Sequence, residues 1–87
     1  MVNGFILSEF GDRVRQLRIE HKLSQEELAF KSGFHRTYIG MIERGERNIS
    51  LTNIVVFAKV FEISIDELLK FNKAKDLVLK YQLKTEE

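Results

Sequence analysis

Three consecutive residues, Arg36-Thr37-Tyr38, combine a two-pronged guanidinium, a hydroxyl with a methyl beside it, and a phenol. Their chemistry is that of recognition rather than bond-making. A guanidinium fork donates two parallel hydrogen bonds to paired acceptors on a planar edge, and guanine O6 and N7 are such a pair. Thr37 adds a hydroxyl for a base edge and a methyl for a thymine methyl, while Tyr38 at the side can touch base edges or phosphate. The remaining inventory is thin. There are two histidines, no cysteine, no G-x-S-x-G, no P-loop and no metal-spaced cluster. Catalysis, a bound metal and a cofactor are therefore not expected.

The stretch Leu23–Asn48 supplies the elements that must present these side chains. Ser24 is placed to cap a helix over about 24–32, with Glu27 as its reciprocal capping-box partner and Leu23 and Leu28 as a hydrophobic staple. Gly33 offers the left-handed stop. A second helix follows over about 35–44 and ends at Gly45. Helix, glycine turn, helix is the layout of a helix-turn-helix that reads DNA with its second helix. At about 100° per residue, Ile39 and Ile42 project together toward a core. Thr37, Gly40, Met41 and Arg44 fall on the opposite side, with Arg36 at its margin. Gly40 in mid-helix costs roughly 1 kcal/mol against alanine; close approach to another surface would explain it, and so would chance.

Other polar residues suit the sugar-phosphate backbone. Gln25 lies in the first turn of its helix, where free N–H groups and the dipole attract an anion. Arg44, Arg47 and Asn48 flank the far end of the probe helix and can position it without reading sequence. His35 at the cap position is a cap or a phosphate contact rather than a metal ligand.

Around this unit the chain predicts further helices. Ser8 is a candidate cap for a helix to about His21, in which Phe10, Val14 and Leu17 form one stripe, Phe5, Ile6 and Leu7 precede the cap, and Arg13, Arg15, Arg18 and Lys22 occupy other faces. Ser50 can open another, with Leu51, Ile54, Val55, Ala58 and Phe61 on one side and Val56 and Val60 on another flank. Ser64 and Glu67 repeat the S-x-x-E box ahead of a fifth helix, IDELLKF. Ala74, Leu77, Val78 and Tyr81 suggest a sixth, which folds back onto the core or pairs with a second chain. Strands have no clear claim.

The totals fit one small domain: 87 residues, 44% hydrophobic and 31% charged. The lack of cysteine suits a reducing cytosol. The longest apolar run, residues 54–58, is too short to span a bilayer, and the N-terminus lacks the basic region of a signal peptide. Net charge is only +1, and neither half of the chain departs from neutrality by more than one charge. A nucleic-acid binder of this composition must gather its cations onto one face by folding.

The segments FGDRVRQLRIEHKLSQEELAFKSG, IERG and ISIDELL, covering roughly residues 8–71, resemble the phage-repressor-like helix-turn-helix family. HRTYIGMIERGERNISL, the short chain and the FIL segment look like the controller proteins of bacterial restriction-modification systems. The resemblance implies an all-α, compact five-helix domain over residues 1–71 with a C-terminal helical extension over 72–87. It implies a cytoplasmic homodimer on palindromic operators in double-stranded DNA, regulating its own gene and the endonuclease gene. Arg36, Thr37 and Tyr38 would read bases, and Gln25, His35, Arg44, Arg47 and Asn48 would hold the backbone. An arginine like Arg18 pairs in this family with a glutamate like Glu43, which borders the Ile39/Ile42 face and needs a partner. Ile65 and Leu68, with Val56 or Val60, are the candidates for the dimer contact, and the extension bears on its geometry.

Two other readings compete. A small repressor of phage type would share every feature above, and a helical protein-interaction module would share the fold without binding DNA. Activation would require a surface that meets RNA polymerase, for which exposed Glu26 is the candidate; its alternative is an ordinary solvated glutamate.

Overall fold

The computed structural model describes residues 2–71, so the expected helix over 72–87 and its part in any extension lie outside the described residues. Among those described, all regular structure is helical: α1 (Val2–Glu20), α2 (Gln25–Ser32), α3 (Arg36–Glu43), α4 (Leu51–Phe61) and α5 (Ile65–Leu68). Among the described residues no helix is long and apolar enough to cross a membrane.

The first helix does not begin at Ser8. It starts at Val2, and Ser8 is an exposed residue within it. The reason is packing upstream of the expected cap: Ile6, Leu7 and Phe10 line an apolar cleft with Ile49, Ile54, Leu69 and Phe71. Burying an apolar helical face outweighs a local capping preference. At the other end Lys22 takes a left-handed conformation (φ 58) and Leu23 N–H closes back to the Arg18 carbonyl at 3.0 Å, the wrapped ending a glycine more often supplies.

Capping was the most local signal and fixes α2 and α4. Ser24 Oγ accepts from Glu27 N–H at 3.0 Å, and Ser24 N–H donates to Glu27 Oε1 at 2.7 Å, which completes the capping box. Gly33 closes α2 at φ 80. Ser50 Oγ accepts from Asn53 N–H at 3.2 Å. The second box is only half made. Ser64 Oγ accepts from Glu67 N–H, but the Glu67 carboxylate is drawn away to Arg13 and Lys70, each at 3.4 Å.

Arg13 explains why α5 stops at Leu68 rather than running through IDELLKF. Its Nη2 donates to the Glu67 carbonyl at 2.7 Å and its Nε to the Leu68 carbonyl at 3.1 Å. Those bonds satisfy carbonyls that a helix end leaves open. Arg13 is therefore a tie between α1 and α5 rather than a solvated surface residue.

The core gathers Phe10, Val14 and Leu17 of α1, Leu28 and Ala29 of α2, Ile39 and Ile42 of α3, Phe57, Ala58 and Phe61 of α4, and Leu68 of α5. Phe57 is its hub, with ring contacts to Phe10 at 6.1 Å, Phe34 at 5.3 Å and Phe61 at 6.4 Å. The inward side of α4 is thus rotated from the expected one: Phe57 is wholly buried, while Leu51 and Val55 face outward. Both flanks of α4 are apolar in sequence, and the aromatic one wins because its rings bury more area.

Candidate nucleic-acid interface

The second helix of the helix-turn-helix, α3, lies between α1 and α2, and its inward stripe of Ile39 and Ile42 fixes its rotation. Rotation decides what the outer side shows. Arg36 and Thr37 open α3 and are exposed. Among the described residues Arg36 has no side-chain partner, so its fork is available to a ligand. His35 acts as the cap, its Nδ1 accepting from Thr37 N–H at 3.2 Å.

Tyr38 is placed differently from its two neighbours. It is half-buried against the core, its ring meets Phe34 edge-on at 4.9 Å, and its hydroxyl accepts from Asn53 Nδ2 at 3.0 Å. The Arg47 guanidinium sits 5.4 Å from the ring centroid, within cation–π range. Tyr38 therefore braces the start of α3 against α4 and carries Arg47 on its face.

At the far end of α3, Arg44 reaches Glu46 through two bonds, Nε to Oε2 at 2.9 Å and Nη2 to Oε1 at 3.1 Å. The hydrogen bond from Arg44 holds the Glu46 carboxyl below its usual range, and the same contact raises the guanidinium. The Arg44 side chain also covers Gly40, where an added Cβ would meet Nη1 at 3.1 Å. Gly40 is consequently buried rather than open on the outer side, and what approaches it closely is Arg44. Asn48 is exposed in the following loop.

One carboxylate anchors α3 from behind. The Glu43 side chain is 0% exposed, and Arg18 binds it with two bonds, Nε to Oε2 at 2.6 Å and Nη2 to Oε1 at 3.2 Å. Arg15 Nε adds a contact at 3.5 Å. Gln25, expected at a phosphate, turns its amide inward to Glu43 Oε1 at 3.0 Å. Its side chain is committed to the anchor, because a buried carboxylate demands every donor within reach. One further backbone feature went unread in the sequence. Gly11 of α1 is buried, and a Cβ there would collide with the Ile42 carbonyl oxygen and lie 2.6 Å from the Glu43 carbonyl oxygen.

The residues expected at a dimer contact divide. Leu68 is 0% exposed and belongs to the core, so it cannot meet a partner; four-residue α5 turns it inward under Arg13. Val56 and Val60 are half-buried and Ile65 is 40% exposed. Leu51, Val55 and Leu69 are further outward apolar side chains. Glu26 is exposed on α2 beside Phe30, an 89% exposed phenylalanine that periodicity did not single out. Among the described residues no group of acidic, histidine or cysteine side chains is arranged to hold a metal ion.

The helix-turn-helix family matches residues 14–68. The control protein C.BamHI of Bacillus amyloliquefaciens is 49% identical over 63 residues, spanning 71% of this chain and 78% of that protein. The crystal structure of the restriction-modification controller protein C.AhdI from Aeromonas hydrophila superposes with a TM-score of 0.69 at 52% identity, over 71% of this chain and 94% of that one. The controller protein C.Esp1396I, solved as a tetramer in complex with its natural 35 base-pair operator, superposes with a TM-score of 0.69 at 34% identity, over 85% of this chain and 96% of that one. With its helical fold and this span of relatives in agreement, the chain belongs to the helix-turn-helix family of DNA-binding transcriptional regulators.

Proposed function

We propose that this protein is a restriction-modification controller: a cytoplasmic homodimer that binds an inverted-repeat operator in duplex DNA and regulates its own gene and that of the endonuclease. The observation that carries the reading is the exposure of Arg36 and Thr37 at the opening of α3, the part of such a helix that enters the major groove. Similarity to C.BamHI and C.AhdI supports the controller assignment. Arg36 and Thr37 read base edges, with Tyr38 setting their approach through Asn53. His35, Arg44, Arg47, Asn48 and the backbone N–H groups beside Gln25 hold phosphates. Residues 1–71 form the DNA-binding domain, and Ile65 and the outer side of α4 contribute to the dimer contact.

Selection of bound sequences from a random duplex pool tests this directly. The expected product is an inverted repeat whose half-sites lie about one helical turn, roughly 34 Å, apart. Recovery of no enriched sequence, or of one without symmetry, would remove the controller reading.

A second role is favoured by one observation. Exposed Phe30 beside Glu26 gives α2 an apolar and acidic patch, suited to contact with RNA polymerase during activation. Glu26→Ala should then lower activated transcription in a reconstituted assay while leaving operator affinity intact; full activation by that variant would exclude the contact.

A further inference from the structure

Arg44 is the cation of the outer strip that is already occupied. Gly40 lies three residues after Thr37 and four after Arg36, so all three share one side of the helix. Arg44 is laid along that side over Gly40. Gly45 follows in a left-handed conformation (φ 73) and turns the chain back, which brings Glu46 onto the guanidinium in a two-pronged pair. Arg36 and Arg47 are not held in this way: among the described residues, Arg44 alone of the three is paired with a carboxylate. An exposed pair of this kind contributes little to folding, so fold stability does not account for a negative charge beside a phosphate-facing arginine.

We propose that Glu46 is a latch on Arg44, holding the guanidinium against α3 so that its contact with a phosphate requires the pair to open. The inference rests on the DNA-binding reading above and adds a residue that limits affinity for duplexes of any sequence. Phosphate contacts are sequence-independent. Withholding one therefore lowers indiscriminate binding and leaves a larger share of recognition to Arg36 and Thr37. This fits a DNA-binding chain whose net charge is only +1.

The test is a double-mutant cycle on the full chain, using a labelled duplex of arbitrary sequence over a range of salt concentrations. Glu46→Gln should tighten binding by about twofold to fivefold, the span expected of an exposed ion pair. In an Arg44→Ala background the same substitution should change binding by less than about 1.5-fold, since the latch has nothing to hold. Equal tightening in both backgrounds would mean that Glu46 acts only through its own charge, and would overturn the latch while leaving DNA binding in place. No tightening in either background would overturn it too. If the wild-type chain shows no salt-dependent binding to any duplex, the DNA-binding reading falls and the latch falls with it.

Discussion

Arg18 on α1 and Glu43 on α3 meet at 2.6 Å around a fully buried carboxylate. Gln25 of α2 donates to the same carboxylate at 3.0 Å, so three helices converge on one buried charge. Hydrophobic packing of Ile39 and Ile42 sets how α3 is rotated, but apolar contacts are non-directional. The fork of Arg18 adds direction, because two parallel bonds are met in only one arrangement of α1 and α3. The exposure of Arg36 and Thr37 depends on that arrangement.

Glu43→Ala should therefore destabilise the fold by about 3–5 kcal/mol, the cost of removing one partner of a buried pair and stranding the other. At this chain length that corresponds to a melting temperature lower by more than about 10 °C. Thermal unfolding followed by circular dichroism checks it, and an unchanged melting temperature would contradict it. Glu43→Gln keeps the volume and one acceptor oxygen and should cost less than the alanine.

Two glycines in helices invite opposite outcomes. Gly11→Ala places a methyl group against the backbone carbonyls of Ile42 and Glu43, which cannot yield without moving α3. Overpacking of this kind costs about 1–3 kcal/mol, enough to outweigh the gain in helix propensity. Gly40→Ala meets only the tip of the flexible Arg44 side chain at 3.1 Å. It should be neutral or stabilising by up to about 1 kcal/mol. Urea unfolding of the two variants side by side distinguishes them, and equal losses would refute the difference in packing.

What the sequence disclosed about this molecule follows the range of each interaction. Ser24 with Glu27, Ser50 with Asn53 and Gly33 act within four residues, so spacing alone located these helix ends. Ile39 and Ile42 were legible as an inward pair because α3 has one apolar stripe. On α4 both flanks are apolar, and only the assembled core chooses Phe57 over Leu51 and Val55. Ser8 looked like a cap because nothing local announces that Ile6 and Leu7 have a cleft to line. Gly11, the inward turn of Gln25 and the hold of Arg13 on α5 are contacts between distant segments. They have no periodic signature, although a glycine within an amphipathic stripe is itself a mark of close approach.

Arg36 and Arg47 should fail in different ways. Arg36→Ala removes the unpaired fork at the head of α3 and should cost about 1–3 kcal/mol on a selected operator, with discrimination lost at one base pair. Arg47→Ala should weaken all sequences alike and reduce the salt slope by about 1. Binding titrations on the selected operator and on single-base variants at two or more salt concentrations separate these outcomes. If Arg36→Ala weakened every variant equally, its proposed base contact would be wrong.

Leu68 and Ile65, three residues apart on α5, separate core from contact surface. Leu68 is wholly buried, so Leu68→Asp strands a charge in the core and should abolish cooperative unfolding. Ile65 is 40% exposed, and Ile65→Asp should leave helicity and melting of the isolated protomer nearly unchanged. If this side of the molecule forms the symmetric contact, the same substitution sets two like charges close to the dyad. The dimer dissociation constant should then rise by about tenfold or more, equivalent to about 1.4 kcal/mol. Sedimentation equilibrium measures it, with Leu51→Asp on α4 as a companion because Leu51 is 71% exposed. Should both variants remain as dimeric as the wild type, the contact lies elsewhere and the outward apolar residues of α4 and α5 serve another purpose.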